Sequence, residues 1–238
     1  MMLIVDGFSG SAEGYFLADK QASTTLEALK QNIALSKRQT GQKIKCIRTD
    51  EGTEFCNSSW HDFLTSHGIV HETTSAHSSA SNGVVEHAHR TIIERVCVLL
   101  HETSLPASMW CEVASTIIYL SQFVPNARNP SATPFELWHN AKPNISHLQP
   151  FGCTAYAKIP VESGGGLSKL EPRSVKCIMI RCFGRDTYCL YNPMMRQIFC
   201  SRDVLFEEGL SHKMLPAPSE GEIHEIPPEE PTMTSNDS

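Results

Sequence analysis

Short apolar runs open the chain. Leu3-Ile4-Val5 and Gly14-Tyr15-Phe16-Leu17 are separated by Gly/Ser-containing residues, the pattern of two adjacent strands in a hairpin. From Ser23-Thr24-Thr25 onward the period changes. Leu26, Leu29, Ile33, Ala34 and Leu35 recur at helical spacing behind a plausible cap, which predicts a helix over 23–38 closed by Gly41. Lys43-Ile44-Lys45-Cys46-Ile47-Arg48 then alternates as a strand ending at Asp50. A carboxylate at the C-terminal end of a strand stands where α/β folds tend to place their chemistry.

A helix over 57–67 follows, then a short strand at Ile69-Val70-His71 and a Ser-rich loop from Thr73 to Ser81. Asn82-Gly83 is expected to end that loop and Val84 to start a long helix. Its apolar set Val85, Ala88, Ile92, Val96 and Leu99 recurs at three- and four-residue steps and leaves Glu86 and Arg90 on a polar face. A further helix over 106–123 has Trp110, Val113, Ile117 and Leu120 as its expected buried face. From Pro125 to Pro150 the chain is punctuated by prolines and reads as an ordered strap whose aromatics need somewhere to pack. Strand-like runs at 151–159, 175–181, 187–191 and 197–200, separated by turn residues, imply a small β-barrel. Beyond 208 the Pro/Glu/Ser-rich segment can bury little apolar surface and is expected to be disordered.

Composition narrows the class. The 238 residues are enough for a medium domain plus a small one, and no apolar run approaches the roughly 18 residues a membrane span requires. Nothing at the N-terminus reads as a signal or transit peptide. Nine scattered cysteines without a Cys-x-x-Cys pair point to reduced thiols inside a cell, in nucleus or cytoplasm. Cys177 and Cys182 read as small apolar residues rather than metal ligands, and His77, His87 and His89 as exposed polar positions. The net charge of −6 misleads as a guide to partners. From Glu207 onward there are eight acidic residues and one lysine, leaving nineteen basic against eighteen acidic residues in 1–206. The folded part is nearly neutral, so composition does not advertise strong nonspecific DNA binding.

The candidate chemistry is a pair of carboxylates. Asp50, in Thr49-Asp50-Glu51-Gly52-Thr53-Glu54-Phe55, and Glu86, in Asn82-Gly83-Val84-Val85-Glu86, have thirty-five residues between them and belong to a predicted strand and a predicted helix. Hard divalent ions such as Mg²⁺ or Mn²⁺ require acidic side chains delivered from separate rigid elements to one point. Spacing alone does not establish such a site, since an isolated Asp/Glu pair is usually structural or solvated.

The order of elements and the local motifs resemble the integrase region of copia-type LTR retrotransposons, from Leu3 to about Glu207. Val5-Asp6-Gly7-Phe8-Ser9 looks like the family's Asp-Asp-Tyr-Ser segment, and Arg48 through Phe55 looks like its Asp-Asn-Gly-x-Glu-Phe motif. Asn82-Gly83-Val84-Val85-Glu86 matches outright and Arg90-Thr91 continues it. Thr133-Pro134-Phe135-Glu136-Leu137-Trp138, His147-Leu148, Phe151-Gly152-Cys153 and Ser201-Arg202-Asp203-Val204 resemble the segments that lead into and form the family's SH3-like module.

The resemblance implies an α/β fold: an N-terminally truncated ribonuclease-H-like integrase core over 1–124, a connecting segment over 125–150, an SH3-like β-barrel over 151–207 and an acidic tail over 208–238. It also implies divalent-metal-dependent DNA 3′-end processing and strand transfer, with Asp50 and Glu86 as the second and third catalytic carboxylates holding Mg²⁺ or Mn²⁺. Asn82, Gly83 and Arg90 are the implied nucleic-acid contacts. DNA, as element ends and target, is the implied partner, along with a homo-oligomer and no membrane.

Several departures qualify that picture. The family's first carboxylate stands in an Asp-x-x-Gly-Pro context upstream of the segment matched by Val5-Asp6, which leads to the expectation that this chain alone holds an incomplete site. Asp6 is expected to serve a turn instead. Glu51 stands where Asn is common, His87 and Ala88 stand where basic residues are usual, and Ala76-His77-Ser78-Ser79-Ala80-Ser81 replaces a Pro- and Gln-containing loop. An ion pair with Glu86 explains Arg90 about as well as DNA contact does. The alternatives are a noncatalytic nucleic-acid-binding or protein-interaction module of transposon origin, and a decayed fragment without a stable fold.

Overall fold

Four consecutive apolar residues, Met2-Leu3-Ile4-Val5, form strand β1 (Met2–Val5), which pairs antiparallel with β2 (Ala12–Tyr15). A computed structural model describes residues 1–74, 79–158, 174–184 and 186–207, the side chains of 79–82 excepted. The turn between the two strands is organised by Asp6, whose Oδ2 accepts hydrogen bonds from the Ser9 amide and hydroxyl, both at 2.7 Å. Helix α1 (Ala22–Thr40) follows and closes at Gly41. It starts before the expected Ser-Thr-Thr cap. Thr25 is therefore an interior residue: it is buried, bonds the carbonyls of Ala22 and Glu54, and accepts from Trp60 Nε1.

Strand β3 (Cys46–Asp50) runs parallel to β4 (Val70–Thr74), with helix α2 (Ser58–Ser66) between them, capped by the Asn57 side chain on the Trp60 amide. Helix α3 (Ser79–Thr103) is longer than its sequence predicts. It begins ahead of Asn82-Gly83, so that pair lies inside the helix rather than ending a loop, and β4 occupies the start of the expected Ser-rich stretch. A helical interior tolerates a glycine at a cost of about 1 kcal/mol, which neighbouring turns offset.

Helix α4 (Trp110–Ser121) is entered through a short 3₁₀ turn, Ala107–Met109. Its buried face is Val113, Ala114, Thr116, Ile117 and Ile118. Trp110 is instead 37% exposed and stacks edge-on against Phe16, and Leu120 is half-buried. The expected stripe was off by part of a turn because α4 packs on two sides. In the connecting segment, helix α5 (Pro134–His139) carries a reciprocal capping box between Thr133 and Glu136. Its aromatics do find partners: Phe135 packs on Phe123, and Trp138 Nε1 donates to Gln39 Oε1 of α1 at 2.9 Å.

The C-terminal strands β5 (Thr154–Lys158), β6 (Ser174–Phe183), β7 (Thr187–Asn192), β8 (Gln197–Ser201) and β9 (Val204–Glu207) form one antiparallel sheet in the order β8-β7-β6-β5-β9. Phe199 and Phe206, from its two edges, pack on the same core of Cys153, Ala155, Ala157, Cys177, Met179, Cys182 and Leu190. The sheet thus curls around one interior, although β8 and β9 are not hydrogen-bonded to each other among the described residues. Cys177 and Cys182 are buried in that apolar interior, which pushes both thiols above the ordinary range and leaves them as packing residues. The expected disordered tail lies outside the described residues.

Two cores flank the N-terminal strands. Leu3 and Val5 of β1 pack with Ile92 and Val96 of α3 and with Val113, Ile117 and Ile118 of α4. Met2 and Ile4, on its other face, pack with Leu26 and Leu29 of α1, Trp60 and Leu64 of α2, and Ile47 of β3. A strand apolar at every position is what burial on both faces demands.

Candidate functional site

Asp50 closes β3 and its carboxylate is exposed, with Oδ1 accepting the Gly52 amide at 3.2 Å. The turn into α2 is tight, the amides of Phe55 and Cys56 both bonding the Gly52 carbonyl. Both carboxylates lie close to this glycine: a Cβ on Gly52 would sit 2.8 Å from Glu54 Oε2 and 3.1 Å from Asp50 Oδ1. Two carboxylates, of Asp50 and Glu54, therefore converge on the small face left by Gly52.

Glu86 projects from the exposed face of α3. It meets Asp50 and Glu54 as part of the lining of one cleft of about 1020 Å³, whose walls are β1, β3, α1 and the first turns of α3. Arg90 and His89 line the same cleft, as does Arg48, which forms an exposed pair with Glu72 across the parallel ladder at 2.7 Å. Arg90 makes no ion pair with Glu86 among the described residues, so its guanidinium stays open to an outside anion. Sequence reasoning quoted Glu54 within its motif without ranking it as a site residue. The signal available was the Asp50-x-Gly52-x-Glu54 spacing, in which the glycine makes room for two acids.

The remaining candidates fall out differently. Gly83 lies within α3 and is half-buried; Asn82 is on the same helix, with its side chain outside the described residues. Asp6 touches the cleft but is engaged by Ser9 and Phe8, the turn role expected of it. His87 bonds Thr91 on its own helix at 3.3 Å, and His77 lies outside the described residues. Among the described residues no group of three or more His, Cys, Asp or Glu side chains stands close enough to hold a metal ion. Asp50, at the end of β3, and Glu86, on α3, line the same cleft from different walls and do not form a closed ligand cage. No helix among the described residues is long and apolar enough to cross a membrane.

Behind the cleft, His71 of β4 is half-buried beside Trp60 and hydrogen-bonded to Thr49 Oγ1 at 2.9 Å. Burial, with a smaller contribution from His61, holds its imidazole below the usual histidine range.

Comparison with known proteins finds two family models in chain order: the integrase core domain over residues 1–79 and the retroviral polymerase SH3-like domain over 153–220. The chain is 37% identical over 178 residues to the retrovirus-related Pol polyprotein from transposon TNT 1-94 of Nicotiana tabacum, covering 74% of this chain and 13% of that protein. It is 30% identical over 209 residues to the Pol polyprotein from transposon RE2 of Arabidopsis thaliana, covering 87% of this chain and 14% of the relative. The chain thus spans about one seventh of the length of these relatives. Among solved structures it is similar to a simian T-cell lymphotropic virus intasome in complex with PP2A regulatory subunit B56 gamma, with a TM-score of 0.48 and 19% identity over 84% of this chain and 69% of that one. It is also similar to the HTLV-2 integrase catalytic core domain in complex with magnesium, with a TM-score of 0.43 and 25% identity over 57% and 81% of the two chains.

Proposed function

The chain belongs to the copia-type retrotransposon integrase family, and on that premise we propose that its cleft takes part in divalent-metal-dependent cutting and joining of DNA. The observation that supports this reading is the cleft itself, whose lining includes Asp50 from a strand end and Glu86 from a helix face. Their donors are all oxygen, exposed and open to water, a set suited to Mg²⁺ or Mn²⁺ rather than to zinc. Asp50 and Glu86 would hold the ion, with water filling the positions these side chains leave. Such an ion, when bound, activates water or a DNA 3′-hydroxyl for in-line attack on a phosphodiester and stabilises the leaving oxygen.

The chain's own groups do the rest. Asp50 is positioned by the end of its strand, and its carboxylate accepts one hydrogen bond, from the Gly52 amide. Arg90, unpaired by Glu86, supplies a cation for a phosphate on the α3 side of the cleft. Asn82 and Gly83, about one helical turn before Glu86 on the same helix, are the further proposed contacts to the DNA strand. Element ends and target DNA are the proposed substrates, a homo-oligomer the proposed working state, and the nucleus or cytoplasm the proposed compartment.

The test is strand transfer with a labelled element-end duplex in Mg²⁺ or Mn²⁺, comparing the chain with Asp50→Asn and Glu86→Gln. Where the parent yields joined product, both variants are expected to lose it by about 100-fold or more while DNA binding persists, as removal of a metal-holding carboxylate demands. Equal activity in all three proteins would overturn the assignment. The absence of a three-acid cluster among the described residues favours a second reading, a noncatalytic DNA-binding module. Metal-independent, salt-sensitive binding without any joined product in all three proteins would select it.

A further inference from the structure

Strands β7 and β8 set two cysteines directly opposite each other, Cys189 against Cys200. Opposed residues of an antiparallel pair point to the same face, with Cα atoms about 4.5–5.5 Å apart, inside the range of about 4.4–6.8 Å that a disulfide spans. No other two of the nine cysteines are opposed in the described ladders. The surroundings of the two thiols differ. Cys189, on the inner strand β7, is buried with Leu105, Met109, Ile180 and Tyr191, next to the turn that leads into α4. Cys200 belongs to the edge strand β8 and is exposed. Burial, with a smaller contribution from the hydrogen bond to Cys200, pushes the Cys189 thiol up to about 12 and keeps it protonated while its neighbour faces solvent.

From this register we propose that Cys189 and Cys200 form a reversible cross-strand disulfide by exchange with a small-molecule disulfide. In the first step the Cys200 thiolate attacks one sulfur of that disulfide, whose S–S bond breaks and releases one small thiolate. Cys189 then gives its proton to water and attacks the Cys200 sulfur, expelling the second small thiolate. The pair loses two electrons and two protons, and the small disulfide gains them as two thiols. The order of attack follows from exposure, since Cys200 stands where a solute reaches it and Cys189 does not. Reversibility follows from geometry. Cβ atoms of opposed residues lie about 4.5–5.5 Å apart, against about 3.5–4.5 Å across a relaxed disulfide, so closing the bond draws the strands together and stores strain that favours reduction. Oxidation would tie the edge strand covalently to β7 beside its contact with Met109. The pair stands in the C-terminal sheet and shares no residue with the carboxylate cleft.

The test incubates the full chain at defined ratios of reduced to oxidised glutathione, quenches in acid and alkylates the remaining thiols for peptide mass spectrometry. Trypsin, cutting after Arg185, Arg196 and Arg202, leaves Cys189 in residues 186–196 and Cys200 in 197–202, with one cysteine in each peptide. A species linking these two peptides is expected, lighter than their sum by two hydrogen atoms, in a chain that runs as a monomer on a non-reducing gel. Excess reduced glutathione should return it to two thiols. Cys189→Ser removes the second attacking thiol, so glutathione should remain on Cys200 at about tenfold or more its level in the parent. Cys200→Ser, altered at an exposed position, should leave Cys189 free of glutathione in the folded chain. Two results would overturn the proposal: glutathione held on Cys200 equally in the parent and in Cys189→Ser with no linked species, or Cys189 and Cys200 joined to other cysteines, within or between chains, in preference to each other.

Discussion

Thr116 of α4 donates its hydroxyl to the backbone carbonyl of Ile180 in β6 at 2.7 Å, and both residues are fully buried. That bond joins the helical part of the chain to the C-terminal sheet at a point where water has no access. Thr116→Val keeps the shape and removes the donor, leaving the Ile180 carbonyl unsatisfied. A loss of about 1–3 kcal/mol is expected in urea unfolding, with Thr116→Ser recovering most of it. A valine variant as stable as the parent would show that the carbonyl finds another partner.

His71 sets an acid limit on stability. Its folded-state pKa lies below the ordinary histidine value, so the unfolded chain binds the proton more readily than the folded one. The contribution is fully present above the unfolded pKa of about 6.5 and is lost as pH falls through the lower folded value. Melting temperature should therefore drop on acidification from about pH 7 to pH 5, and the drop should be shallower in His71→Gln. Parallel slopes in the two proteins would remove His71 from the account.

Arg90 provides the phosphate contact proposed for the cleft. Arg90→Ala should weaken binding to all duplex sequences alike and reduce the slope of log affinity against log salt by about one. Since Arg90 makes no ion pair with Glu86, the variant is expected to fold with near-parental stability. An unchanged salt slope would place the phosphate elsewhere.

The local elements were legible because their signals are local. Leu26, Leu29 and Ile33 at helical spacing announced α1, whereas the run Thr133-Pro134-Phe135-Glu136 was read only as part of an ordered strap and turns out to cap a short helix, α5. Two kinds of feature escaped. Helix α4 buries Ala114 and Ile118 rather than Trp110 because it touches β2 and α3 on one side and β6 on another, and one stripe of spacing cannot encode two neighbours. The start of α3 at Ser79 was hidden by Asn82-Gly83, a pair that normally punctuates loops. At the site, motif order picked out Asp50 and Glu86. Glu54 required knowing how closely its carboxylate approaches Gly52.

Helix α4 also decides how the molecule can be divided. One side of it completes the core with Ile92 and Val96, and the 3₁₀ turn leading into it places Met109 against Ile180, Cys189 and Tyr191 of the C-terminal sheet. A cut in the connecting segment would therefore produce two pieces, each with a wetted apolar scar where the other had been. The two regions matched by separate family models thus share buried apolar contact through α4 and the turn that leads into it.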